Sequence, residues 1–109
     1  MKAGAEIMLE VDLNALDTAL AAGEPLIDVR EADEFAQVRV PGATLIPLSE
    51  FVSRVGEIPD AETVYIICAV GGRSLQAAEY LQARGINAVS VAGGTMAWYQ
   101  SGRQVETGE

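Results

Sequence analysis

The apolar positions of this chain fall into two rhythms. Short runs of apolar and β-branched residues bounded by glycine, proline or charge read as buried strands. Stretches with apolar residues three and four apart read as helices. Residues 7–9 (Ile-Met-Leu) predict a first short strand. Asp12 is placed to cap a helix over 13–22, closed by Gly23, with Leu13, Leu16 and Leu20 on one stripe. The run 25–30 is apolar until it ends in Asp28 and Arg30, as buried parallel strands often do. An acidic helix over 31–37, anchored by Phe35, a turn at 40–43 and a strand at 44–46 follow. Ser49 then predicts a cap for a helix over 50–55 with Phe51 and Val55 inward. After a loop at 59–62 come a strand at 63–68, a helix from 74 to 84 stopped by Gly85, and a strand at 88–91. Leu75, Ala78 and Leu81 keep helical spacing in that helix. Gly93-Gly94 leads into a short helix carrying Met96, Trp98 and Tyr99, and residues 101–109 read as a polar, loosely held tail.

Strands alternating with helices predict an α/β fold with a mostly parallel sheet. In such sheets the ligand sits beyond the carboxyl ends of the strands. Cys68 ends one strand, and Asp28 and Arg30 end another, so the pattern converges on one sheet edge.

The chemistry concentrates in Cys68-Ala69-Val70-Gly71-Gly72-Arg73-Ser74. By itself a cysteine closing a buried strand is an ordinary small core residue. Here it is followed by a tight loop with two glycines, and Ser74 opens a helix. Successive loop N–H groups can form an anion-binding nest, reinforced by the positive end of the helix dipole. That field favours thiolate over thiol. Glycine lets the backbone curl and approach a ligand closely. Arg73 adds a cation, and the set points to a cysteine nucleophile acting on an anionic substrate.

Composition narrows the reading. The 109 residues suit one domain, with a core over about 7–102 and a polar tail at 103–109. Sixteen acidic against 7 basic residues give a net charge of −9, which argues against nucleic acid or an anionic membrane as partner. An anionic substrate must then be drawn by local loop electrostatics. The single cysteine excludes an intramolecular disulfide, and the lack of histidine excludes His-based metal sites, Cys-His dyads and Ser-His-Asp triads. Glu6 and Glu10 interrupt the apolar residues of the first segment, which does not read as a signal peptide. No apolar run is long enough to span a bilayer. The expectation is a cytoplasmic protein.

Four segments together resemble the rhodanese homology domain. They are Leu26-Ile27-Asp28-Val29-Arg30-Glu31 with Glu34-Phe35, then Val40-Pro41-Gly42-Ala43 with Ile46-Pro47-Leu48, the Cys68 to Ser74 loop, and Gly93-Gly94 through Ala97-Trp98. They occur in register over nearly the whole chain, from about Ile7 to Gly102. The resemblance implies a five-stranded, mostly parallel sheet with helices on both faces. It also implies sulfurtransferase chemistry without metal or organic cofactor. The cysteine takes a sulfane sulfur from thiosulfate or a persulfide donor and passes it to a thiol or cyanide acceptor. Cys68 matches the nucleophile, and the N–H groups of Ala69, Val70, Gly71, Gly72, Arg73 and Ser74 match the cradle around it. Arg73 matches a loop arginine that orients a donor sulfonate or braces the loop. Asp28 and Arg30 match structural positions, with a salt bridge tying the strand end to neighbouring loops, and Trp98 matches a pocket-flanking core residue. A sulfur-carrier or thioredoxin-like protein is left open as a macromolecular partner.

Two departures bear on the donor. Family members commonly carry His-Ile-Pro-Gly-Ala where this chain has Arg39-Val40-Pro41-Gly42-Ala43. Many thiosulfate users carry a basic or polar residue directly after the cysteine, where this chain has Ala69. A missing cation there weakens binding of a small dianion, which points to a persulfide donor. Among alternatives, a cysteine phosphatase or arsenate reductase would need C-x5-R and a loop carboxylate, whereas Cys68 and Arg73 are spaced C-x4-R. A catalytically silent module used for binding or regulation remains the alternative from another class.

Overall fold

The computed structural model describes residues 9–108. Of the first expected strand, Ile7 and Met8 lie outside that range, and the strand described is β1 (Glu10–Val11). It is followed by α1 (Leu13–Ala21), β2 (Leu26–Asp28), α2 (Ala32–Gln37) and β3 (Thr44–Leu45). Then come β4 (Val64–Ile67), α3 (Gly72–Gln82), β5 (Ala88–Val91) and α4 (Gly94–Gln100). The five strands lie in the order β1-β5-β4-β2-β3. Every ladder between them is parallel.

Period-two alternation along the strands divides the core. Val64, Ile66 and Cys68 face one side, where they meet Ala77, Ala78 and Leu81 of α3 and the buried Phe51. Ile67 faces the other side, with Leu26, Val91, Leu16 of α1 and Trp98 of α4. Helices therefore cover both faces. The caps work as the sequence predicts at α1, where the Asp12 carboxylate accepts from Ala15 N–H at 2.9 Å. A capping box between Glu31 and Glu34 starts α2.

Three local expectations are corrected. Residues 48–57 form two 3-10 turns, Leu48–Glu50 and Val55–Glu57, instead of one helix. Ser49 does not cap there, because its hydroxyl lies 3.2 Å from both Glu31 carboxylate oxygens. Phe35 is only half-buried and stacks under the Arg39 guanidinium, 5.0 Å from the ring centroid, so α2 has no buried side chain. The segment after Gly102 is held rather than loose. Arg103 pairs with Asp17 at 2.7 Å, Gln104 O accepts from the Trp98 indole at 2.7 Å, and Glu106 forms an antiparallel bridge with Arg39. No helix among the described residues is long and apolar enough to cross a membrane.

Candidate active site

β4 delivers Cys68 to the carboxyl edge of the sheet, and the chain turns at once into α3. Gly71 makes that turn with φ +121°, a backbone state that a Cβ strains. The N-cap of α3 is Gly71, which has no side chain to cap it. The cysteine sulfur takes that place, since Ser74 N–H, third in the helix, donates to Cys68 Sγ at 3.3 Å and Gly71 N–H at 3.1 Å. Free N–H groups of a first helical turn need an acceptor. Here the acceptor is the candidate nucleophile.

The Ser74 hydroxyl adds a third contact, 3.3 Å from Sγ. Burial pushes the Cys68 thiol up, and hydrogen bonds from the Ser74 hydroxyl and the N–H groups of Ser74 and Gly71, helped by the neighbouring Val70 N–H, outweigh it. The thiol is left below its ordinary value. The sulfur is therefore biased toward thiolate by hydrogen bonds aimed at it, while its side chain stays 1 % exposed.

α4 closes the loop from beneath. Thr95 N–H donates to Cys68 O at 2.8 Å and Met96 N–H to Ala69 O at 3.0 Å. This approach requires glycine at position 94, where a Cβ would lie 2.5 Å from both the Cys68 and Ala69 carbonyl oxygens. The Thr95 hydroxyl is buried without a hydrogen-bond partner among the described residues. Val70 and Met96 leave an apolar rim, Val70 being 69 % exposed. A separate concavity of about 460 Å³, lined by Phe35, Arg39 and Leu45 among others, includes no residue of the loop.

Arg73 turns away from the sulfur's hydrogen-bond shell and grips Glu34 with Nη1 and Nη2, at 2.8 and 3.0 Å. That double contact, helped by Glu31 N–H and only partly opposed by burial, holds the Glu34 carboxyl at about 2. Because this carboxyl is depressed in the folded chain, its stabilising contribution is complete above its ordinary 4.5 and is lost as pH falls toward 2. The contribution is small, since both side chains are about a third exposed. In Arg73→Ala the Glu34 carboxyl, still met by Glu31 N–H, is expected to move up from about 2 toward its ordinary 4.5 by carboxyl-carbon NMR; an unmoved midpoint would break the assignment.

Asp28 and Arg30 form a buried pair with Nη2–Oδ2 at 2.8 Å. Arg30 also donates to Glu34 O at 3.3 Å and Val38 O at 2.6 Å, so the pair ties the end of β2 to α2. Trp98 sits in the core opposite α3 and makes no hydrogen bond within the loop. Sequence reading missed Glu34 as the partner of Arg73. It also missed Ser90, whose hydroxyl lies 2.7 Å from that of Ser74. A signal for Ser90 existed: it is the polar residue in an otherwise apolar, fully buried strand.

Comparison with known proteins bears on this geometry. The family model described as the rhodanese-like domain matches residues 12–101. A protein of Allochromatium vinosum named sulfurtransferase is 38% identical over 96 residues, covering 85% of this chain and 90% of its own. Thiosulfate sulfurtransferase PspE of Escherichia coli is 41% identical over 75 residues, covering 67% of this chain and 72% of its own. The crystal structure of a rhodanese-related protein from Thermoplasma volcanium superposes with a TM-score of 0.84 at 30% identity, covering 90% of this chain and 97% of that one.

Proposed function

The chain belongs to the rhodanese-like domain family, and on that premise we propose that it is a sulfurtransferase carrying sulfane sulfur as a persulfide on Cys68. The observation that supports this most is the sulfur's position as N-terminal acceptor of α3, met by two N–H groups and a hydroxyl. Cys68 thiolate attacks the outer sulfur of the donor. The donor's sulfur–sulfur bond breaks, and sulfite or a thiolate leaves with the electron pair. The same donors that hold the thiolate favour the negative charge of the persulfide. An acceptor thiolate or cyanide then attacks the terminal sulfur, and Cys68 thiolate leaves. Protons and external electrons balance without a further reactant, and the kinetics are ping-pong.

The donor class follows from the charges around the loop. Ala69 and Val70 carry none, and the Arg73 charge is spent on Glu34. The rim is apolar at Val70 and Met96. A small dianion such as thiosulfate gains little there, against a net charge of −9. A persulfide on an organic thiol, with one charge and an apolar body, suits the rim better.

Intact mass tests both levels. Brief incubation with a small-molecule persulfide is expected to add about 32 Da, the mass of one sulfur, removable by cyanide, and thiosulfate to load far less at equal concentration. Equal loading by thiosulfate would overturn the donor assignment. No loading from either, with a folded protein and a titratable thiol, would overturn the enzyme reading in favour of a binding module.

A further inference from the structure

Ser90 lies in β5, beside Ile66 of β4 in the parallel register. It shares a strand face with Ala88, the face that α3 covers. Its hydroxyl is fully buried and lies 2.7 Å from Ser74 Oγ, which in turn lies 3.3 Å from Cys68 Sγ and 3.1 Å from Gly71 O. A weaker contact of 3.5 Å runs from Ser90 Oγ to Gly71 O.

Each serine hydroxyl has a single proton to give. With Cys68 as thiolate, the sulfur can only accept, so a hydrogen bond between it and Ser74 Oγ uses the Ser74 proton, for which Gly71 O competes. Ser74 Oγ is then an acceptor toward its other neighbours, and the 2.7 Å contact requires Ser90 to be the donor. Gly71 O gives up the Ser74 proton without being stranded, because Leu75 N–H donates to it at 3.1 Å. The order is fixed in one direction, from Ser90 to Ser74 to sulfur. With Cys68 as thiol, the Ser74 proton is free to turn back to Gly71 O.

We infer that Ser90 is a positioning residue for the reaction: by donating to Ser74 it commits the single Ser74 proton to the Cys68 sulfur. Hydrogen bonds in a buried chain polarise one another, so the bond that reaches the sulfur is strengthened from behind. Without Ser90, Ser74 divides its proton between Gly71 O and the sulfur and leaves a buried lone pair unmet.

The test is the pH profile of Cys68 alkylation by iodoacetamide, which reads the thiolate whether or not the protein transfers sulfur. It thus separates failure of this inference from failure of the sulfurtransferase reading on which the residue's catalytic meaning rests. Ser90→Ala is expected to shift the profile upward, with about a threefold fall in alkylation rate below the midpoint. Ser90→Thr, which keeps the hydroxyl, is expected to restore the profile. In a Ser74→Ala background the Ser90→Ala shift is expected to vanish, because the path to the sulfur is already cut. Tm is followed for each variant. An unchanged Ser90→Ala profile overturns the inference, as does a Thr variant shifted as far as Ala. A shift of equal size without Ser74 would show that Ser90 acts through packing, and would overturn it too.

Discussion

Replacing Cys68 by serine is expected to lower sulfur transfer by about three orders of magnitude or more while leaving the chain folded. A serine alcohol does not ionise at working pH and forms no persulfide, so both halves of the ping-pong cycle lose their covalent intermediate. The fold survives because the donors around the sulfur suit an oxygen as well. Gly71 N–H, Ser74 N–H and the Ser74 hydroxyl surround the position at 3.1 to 3.3 Å. Steady-state turnover with a persulfide donor, beside a thermal melt, checks both halves of the expectation. Wild-type turnover in the folded variant would remove Cys68 from the mechanism. Loss of turnover together with loss of the melt would say nothing of chemistry, which is why Ser, the near-isostere, is preferred to a larger side chain.

The largest effect on stability is expected at Asp28. Its carboxylate is fully buried and takes three contacts from the Arg30 side chain, at 2.8 to 3.1 Å, with a fourth from Arg30 N–H at 3.0 Å. Asp28→Ala leaves the guanidinium buried without a counter-charge, a change that costs about 3–5 kcal/mol. That is a large part of the roughly 5–15 kcal/mol holding a domain of this size together. Urea unfolding of the variant is expected to show the loss as a lower midpoint with an unchanged slope. Adding Arg30→Met should recover part of it by removing the stranded charge. The recovery is incomplete because Glu34 O and Val38 O then lose the donor that Arg30 supplied. A single variant as stable as the wild type would mean that water reaches Arg30 when the carboxylate is gone.

Much of the fold was legible in the chain because its signals are local. Val64, Tyr65, Ile66 and Ile67 are β-branched or aromatic and alternate between faces, so the strand and its two-sided burial follow from period two. Asp12 could be read as a cap because its acceptor lies within one turn of the N–H that it meets. The helix expected over 50–55 gives way to 3-10 turns for a local reason as well. Phe51 and Val55 have helical spacing, yet Ser49 is drawn to Glu31, and Gly56 gives no support to a continuous helix. The tail misled because its polar residues are fastened by partners far back in the chain, at Asp17 and Arg39.

What the sequence determined by itself is the alternation of strands and helices, the cysteine at a strand's end, and the glycine-rich turn that aims N–H groups at it. Each depends on residues within a few positions of one another, where backbone sterics and hydrogen-bond geometry act without help. The tertiary structure alone decided which distant groups complete the site. The strand order places β5 beside β4 and so brings Ser90 under Ser74. The packing of α2 brings Glu34 to Arg73, 39 positions away, and turns the loop's arginine from a free cation into half of an ion pair. A hydroxyl or a carboxylate carries no mark in the sequence of which strand will lie beside it. That neighbour is set by how whole faces are buried together, and only then does the proton on Ser74 have a direction.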